Sequence, residues 1–493
     1  MKRKLALALT MAMMGTSLIG CGSNAKEDSA PTKANEPAAT TQAAATQAAD
    51  AAQNDNKEWF GTDDGKTITL RFWGGVQPEY GYDELCANFN EQYKDKGLQV
   101  EYVRYVNDSN GNLQLETYLM GGGDVDCFIG YGGRARLDAR VESNLLFNMS
   151  DKLKEYDFDL IEELGSSNMA DYIWEDGSSY GFPTKYENNK WILINVDMFN
   201  EAGVEIPYDG WTYSEFLDAC EKLTHGEGQD KVYGLCWNRK QSGGNTSALL
   251  PSVLGAYDIY KNDEGSEVNF DNEVWRESYE MVMKTYENGW AIPLEDEYSE
   301  DVSVANTFLK GKCAIALGTA QMRLCMDQEN YPHDFKTAIV PGPVPDDEKY
   351  NTEFYRTHSS TTGAGDVFCI AQNTEYHDAA FEFGMWYLKG GMAPLVKGGR
   401  IPLWNGIDKE QVLNVLKENA ADSFDQDSMN KYLSIDTTKG VKSVQGYAKS
   451  EIGAVWTEEY DAMCYGRQSI DDTINNMMTR SAELIKVAME SKK

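Results

Sequence analysis

Hydrophobic and polar positions begin to alternate at Thr67. Ile68, Leu70 and Phe72 fall on one side and Thr69 and Arg71 on the other, which predicts a strand that Gly74-Gly75 ends. Tyr82, Leu85, Phe89 and Tyr93 then recur at helical spacing, and Gly97 closes that helix. Leu98 to Tyr105 reads as a second strand. Leu115 and Leu119 sit on a second helix that Gly121-Gly122-Gly123 terminates, and Val125 to Ile129 reads as a third strand. Strand and helix alternate, so the pattern predicts a largely parallel sheet with helices on both faces.

The stretch from Tyr180 to Thr224 is a second architectural unit. Trp191-Ile192-Leu193-Ile194 is an apolar, β-branched run, the signature of a buried strand. Asn195 and Asp197 stop it. Met198 to Ala202 fit one short helix before Gly203, and Pro207 forces the chain to extend again. Thr212-x-x-Glu215 is a capping box, with Trp211 as a staple in front of it and Phe216, Cys220 and Leu223 on the inward face behind it. Further strands are expected at Val232–Cys236, Lys336–Pro345 and Asp366–Ala371. Ala379, Ala380, Phe383, Trp386 and Tyr387 mark another buried helical face, and Trp174, Trp275 and Trp456 are expected to pack on helices.

The ends of the chain change the picture. Lys2-Arg3-Lys4 followed by apolar Leu5 to Leu18 is a targeting segment too short for a normal membrane span. It closes in Leu18-Ile19-Gly20-Cys21, which resembles a bacterial lipobox and implies a lipid on Cys21, hence residues 1–21 as a lipoprotein signal. Residues 22–57 are rich in Ala, Thr, Gln, Asn and Pro and have no aromatic residue, so they read as a disordered tether. The rest exceeds 400 residues, too long for one simple core, and predicts two lobes.

A formal charge of −34 excludes a nucleic-acid-binding role, which needs a basic face. The other eight cysteines include no CxxC pair and there are four histidines with no HExxH, so neither a zinc ribbon nor zinc catalysis is supported. The cysteines read as small buried hydrophobes, with disulfides left open. No GxSxG elbow or phosphate-binding loop is present either.

Taken in order, Gly181-Phe-Pro, the strand ending in Asn195, "DMFNEAGVEIP" and "WTYSEF" resemble the extracellular solute-binding proteins of ABC importers, in the sugar-binding group that includes maltose-binding protein. "GGGDVDCFIG", "FLKGKCAIALG", "KTAIVPGPVP" and "GGRIPLW" extend the resemblance from Thr67 to Trp404. The family's usual Trp after the "GKAAM" strand is missing, since Gly318-Thr-Ala-Gln321 stands there. The resemblance implies an α/β, two-lobed periplasmic-binding-protein-like (type II) fold with three interlobe crossings, near Lys190, Lys336 and Gly399. One lobe is expected at 58–189 plus 337–398 and the other at 190–336 plus 399–493.

Ligands of open α/β sheets lie beyond the carboxyl ends of the strands. A sugar needs flat aromatic faces for its C–H side and planar polar groups for its hydroxyls. With 28 Tyr and 11 Trp the chain is well supplied. The candidates are Trp73, Glu79 and Tyr80 after the first strand, Tyr131 and Arg134 after the third, Tyr186 and Glu187 before the first crossing, Trp237 and Asn238 after Cys236, and Trp404 and Asn405 after the last crossing. The expected function is capture of a mono- or oligosaccharide and its delivery to an ABC permease by a lipid-anchored monomer on the outer face of a bacterial membrane, without catalysis, cofactor or metal. A secreted carbohydrate-active enzyme, a surface glycan-binding lipoprotein and a receptor for a peptide or polyamine are the alternatives; an enzyme would need two placed carboxylates, which 79 acidic residues leave open.

Overall fold

In the computed structural model, the described residues are 59–106, 109–188, 190–240, 249–250, 252–299, 302–318, 321–358, 362–420, 423–436, 444 and 446–491. The signal, Cys21 and the tether lie outside them. The described residues form one compact unit built on two sheets.

The first sheet has the order β10-β4-β9-β3-β1-β2. β1 (Ile68–Gly74), β2 (Leu98–Arg104) and β3 (Cys127–Gly130) run parallel, with Ile68 opposite Leu98 and Phe72 opposite Cys127. α1 (Tyr82–Tyr93) joins β1 to β2, α2 (Ser109–Gly121) joins β2 to β3, and α3 (Gly133–Glu142) follows β3. The expected alternation is therefore present, and each strand forms for the stated reason: Ile68, Leu70 and Phe72 are buried while Thr69 and Arg71 are exposed. Phe72 packs on Phe383 and Tyr387, with ring centroids 5.0 and 5.8 Å away, which fixes α1 and the helix His377–Trp386 to one face. Trp73, one residue on, turns to the opposite face and meets Tyr118 of α2.

The sheet is not largely parallel. β9 (Thr362–Ile370) runs antiparallel to both β3 and β4 (Phe182–Asn188), and β10 (Ile401–Pro402) runs antiparallel to β4. The chain returns to this sheet from the other lobe and enters at the carboxyl ends of β1 to β3, so β9 has to run backwards. Gly130, the last residue of β3, lies opposite Val367, which leaves Thr362 to Asp366 projecting beyond it.

The second sheet has the order β6-β7-β5-β8, made of β5 (Trp191–Asn195), β6 (Tyr233–Cys236), β7 (Cys313–Ala316) and β8 (Thr337–Pro341). All five residues of β5 are buried. The Thr212–Glu215 capping box is formed on both sides, and Trp211 packs edge-on against Phe216, 5.2 Å away. On the outer side Trp275, Tyr279, Trp456 and Tyr460 are buried together.

The second and third crossings fall later than Lys336 and Gly399. β4 and β5 flank the first, at Lys190. β8 still pairs with β5, so the second lies in 342–361, and β10 still pairs with β4, so the third follows Pro402. At the first crossing the Gly342 N–H donates to the Lys190 carbonyl over 2.9 Å, and a Cβ on Gly342 would come within 2.4 Å of that oxygen. The eight described cysteines are free thiols, seven of them buried.

Candidate functional site

On the first lobe the carboxyl ends of the strands carry a charged cluster. Asp366 lies in the projecting part of β9 with φ +52°, a conformation rare for a residue with a side chain. Its carboxylate accepts a hydrogen bond from Arg400 Nε at 2.8 Å, and Lys185 Nζ of β4 stands 3.9 Å away. Arg400 Nη1 also donates to the Gly398 carbonyl at 3.3 Å. Burial by itself would raise the Asp366 carboxyl; the Arg400 guanidinium and the Lys185 ammonium outweigh it and hold the carboxyl below the ordinary value. Tyr131, just after β3, accepts from the Gly75 N–H just after β1 at 3.1 Å and also bonds Arg400.

On the second lobe a different buried carboxylate stands beside the turn after β6. After β6 the chain turns through Asn238, at φ +54°, and Arg239. Glu297 is fully buried, and its carboxylate accepts the Arg239 N–H at 2.5 Å. Burial pushes the Glu297 carboxyl up to about 7, against the pull of the backbone N–H groups of Arg239, Asn238 and Trp237. The Arg239 guanidinium points elsewhere, to Asp461 at 2.8 Å and over the Tyr460 ring at 4.6 Å.

The two lobes meet where these ends face each other. Tyr80 Oη donates to Asp327 Oδ2 at 3.0 Å, and the Arg323 guanidinium lies 5.6 Å from the Tyr80 ring centre. Arg323 and Asp327 follow β7, and Tyr80 follows β1. Gly399 packs against Arg323: a Cβ there would sit 3.1 Å from the arginine Cβ.

The expected residues divide. Tyr80 and Tyr131 stand at this junction, and Glu79 is exposed beside them. Asn238 is buried at the β6 turn, where its Nδ2 donates to the Leu317 carbonyl at 3.2 Å. Trp73 and Trp237 are core residues instead. Trp73 Nε1 reaches back to the Asp124 carbonyl at 2.8 Å, away from the strand end; Trp237 has no exposed surface and donates to Thr285 Oγ1 at 3.0 Å. Arg134 is held by Asp138 at 2.7 Å and by the Trp174 ring at 3.9 Å. Tyr186, Trp404 and Asn405 line a separate crevice of about 20 Å³, room for one water and not for a sugar ring. Trp404 Nε1 there donates to Glu163 at 2.7 Å. Glu187, on β4, pairs with Gly363 of β9, and its side chain lies outside the described residues. Asp366, Lys185, Arg400, Arg323 and Asp327 were not among the candidates. The one signal for Arg400 was a cation inside the glycine-rich run Gly398-Gly-Arg-Ile-Pro.

Two α/β lobes joined by crossing segments, with strand ends facing each other, define the type II periplasmic-binding-protein-like fold. A model of the bacterial extracellular solute-binding protein family matches residues 74–389, and the chain belongs to that family. Among solved structures it is similar to a sugar transporter protein of Rhizobium etli in an open conformation, at 18% identity over 85% of this chain and 99% of that one, with a TM-score of 0.63. A substrate-binding protein of Listeria monocytogenes in complex with cycloalternan is 17% identical over 86% and 99%, with a TM-score of 0.61. The sugar-binding protein MalE of Xanthomonas citri is 16% identical over 85% and 98%, with a TM-score of 0.60. No curated protein matches the chain significantly.

Proposed function

We propose that this chain is a lipid-anchored receptor that captures a mono- or oligosaccharide between its lobes and delivers it to an ABC permease, without chemistry on the sugar. The observation that carries the reading is the junction itself. Tyrosines 80 and 131, two carboxylates and three cations gather at the carboxyl ends of strands from both lobes, where an open α/β sheet receives its ligand. Such a set suits a saccharide: the ring faces of Tyr80 and Tyr131 take its C–H side, and Asp366, Arg400, Lys185 and Arg323 take its hydroxyls. Glu79 and Asn238 complete the proposed contacts. Tyr186, Trp404 and Asn405 line the crevice beside the crossing, where they bear on the movement of the lobes. Closure needs only that the ligand prefer the closed arrangement. Cys21 is the proposed anchor and 22–57 the tether. The solved relatives named for sugar transport, cycloalternan binding and sugar binding support the ligand class.

The test is a thermal-shift screen of the purified protein against a sugar panel, with chromatography of the sugar afterwards. A ligand at about 100 times its Kd adds about 2.7 kcal/mol. A saturable shift with one saccharide, recovered unchanged, is expected. Turnover of the sugar, or a shift with peptides or polyamines alone, overturns the reading.

A further inference from the structure

Lys190 sits where the chain first passes between the lobes, and its side chain has no exposed surface. Its Nζ is buried without a hydrogen-bond partner among the described residues. Proteins keep a buried ammonium by pairing it with a carboxylate or with several acceptors, and here neither is in place. Burial accordingly takes Lys190 from 10.5 down to about 7.

The groups around it tie the first two crossings together. The Lys190 carbonyl accepts the Gly342 N–H, at the start of the second crossing, over 2.9 Å. Near the end of that crossing the Thr357 carbonyl accepts Asn188 Nδ2 at 2.8 Å and Trp191 Nε1 at 3.0 Å. Tyr432 Oη accepts the Asn188 N–H at 3.2 Å, and its ring meets Trp191 edge-on at 5.1 Å. Lys190 is thus fixed between the segments that must turn when two such lobes move about a hinge. The lobes also touch beyond the crossings, through Tyr80 on Asp327 and Gly399 on Arg323.

The titratable group that faces Lys190 from the second crossing is His358. Its ring stacks on Phe354 at 4.7 Å, and its Nδ1 lies 2.9 Å from Thr357 Oγ1. Burial holds the imidazole below its ordinary value, with Lys190 adding to the effect and Asp436 opposing it. Asp436 bears on the imidazole and not on the ammonium, whose charge no carboxylate among the described residues supports.

We propose that Lys190 is a proton-sensitive latch in the hinge: neutral, it lets the lobes rest in the contacted arrangement, and protonated, it favours a rotated arrangement in which water reaches its ammonium. The contacted arrangement then binds fewer protons than the rotated one. It gains as pH rises between about 7 and 10.5, by up to about tenfold per pH unit. His358, held below 6.5, has lost its proton throughout that window. The device belongs to the two-lobed fold and does not depend on which ligand the junction takes.

Pulsed electron paramagnetic resonance on the full chain in detergent, with no sugar added, tests it. Spin labels are carried by a non-natural amino acid at the exposed positions Asn88 of α1 and Glu280 of the second lobe. Two distance populations are expected, with a ratio that changes about fivefold or more between pH 9 and pH 7. Lys190→Met should keep the pH 9 distribution at both values. Lys190→Arg, charged throughout, should keep the pH 7 distribution at both, and circular dichroism verifies that each variant folds. His358→Gln should leave the shift in place. A parent distribution that does not move with pH, a shift that survives in Lys190→Met, a Lys190→Arg chain that matches Lys190→Met, or a shift lost in His358→Gln overturns the proposal. With no sugar present, the result stands apart from the fate of the saccharide reading.

Discussion

Two buried carboxylates, one in each lobe, are stabilised in opposite ways. Asp366 has a guanidinium at 2.8 Å and an ammonium at 3.9 Å, and is held ionised. Glu297 is held by the backbone N–H of Arg239 at 2.5 Å and by its neighbours, while the Arg239 side chain turns to Asp461; burial takes this carboxyl up to about 7. Burial is similar in both. Whole opposite charges in direct contact offset desolvation, and peptide dipoles offset only part of it. Lys190, at the first crossing, is the limit of the series: it is fully buried, its ammonium has no acceptor among the described residues, and burial takes it down to about 7.

Breaking the paired site has the largest expected effect. Arg400→Met leaves the buried Asp366 charged with only the more distant Lys185 ammonium beside it, and chemical denaturation should register a loss of about 3–5 kcal/mol. Adding Asp366→Asn to the same chain should recover much of it; a double variant as unstable as the single one would show that Arg400 acts through packing alone.

Lys190 comes next and has the opposite sign. With its folded value lowered from 10.5 to about 7, the folded state binds fewer protons than the unfolded one between those limits, so stability rises with pH across that window. Lys190→Met should stabilise the protein by about 4 kcal/mol at neutral pH, with the gap closing toward pH 10. Melting curves of both proteins across the window check it, and a pH-independent gap contradicts it.

Glu297 titrates in a lower window. Its folded value is raised from 4.5 to about 7, so the folded state binds more protons there and stability falls as pH rises through that range, then levels. Glu297→Gln should remove this slope, a gain of about 3 kcal/mol at pH 8 and almost none at pH 4. The smallest effect is Tyr80→Phe, which removes the bond to Asp327 and should cost about 1 kcal/mol.

The contrast also explains what could be read from the sequence. β1, α1 and the capped helix behind Trp211 were legible because period and capping are local. The projecting half of β9 was not: Thr362-Gly-Ala-Gly365 is small and polar, so the strand seemed to begin at Asp366, and the cluster on it stayed hidden. Glu297 lies in Leu294-Glu-Asp-Glu-Tyr-Ser299, where nothing local says which acid turns inward. Trp237 was placed at a strand end, and the continuous buried run of β6 carries on through it into the core. Trp275, Trp386 and Trp456 lie on helices as expected, because a buried stripe carries its own periodicity, whereas Trp174 stands in a turn outside any helix.

β9 is anchored twice, by the Asp366 ion pair where it projects and by the Phe368 ring stacked on Phe182 at 5.3 Å where it enters the core. A slip of one residue would send Val367 to the cations and Cys369 to the Phe182 ring, so the strand has a single setting. The connector before it, 342–361, is thereby relieved of any duty to measure distance. Lengthening a loop costs only the logarithm of its size, so residues inserted near Glu348 are absorbed on the surface, and the same fold tolerates connectors of many lengths while the cluster at Asp366 keeps its place.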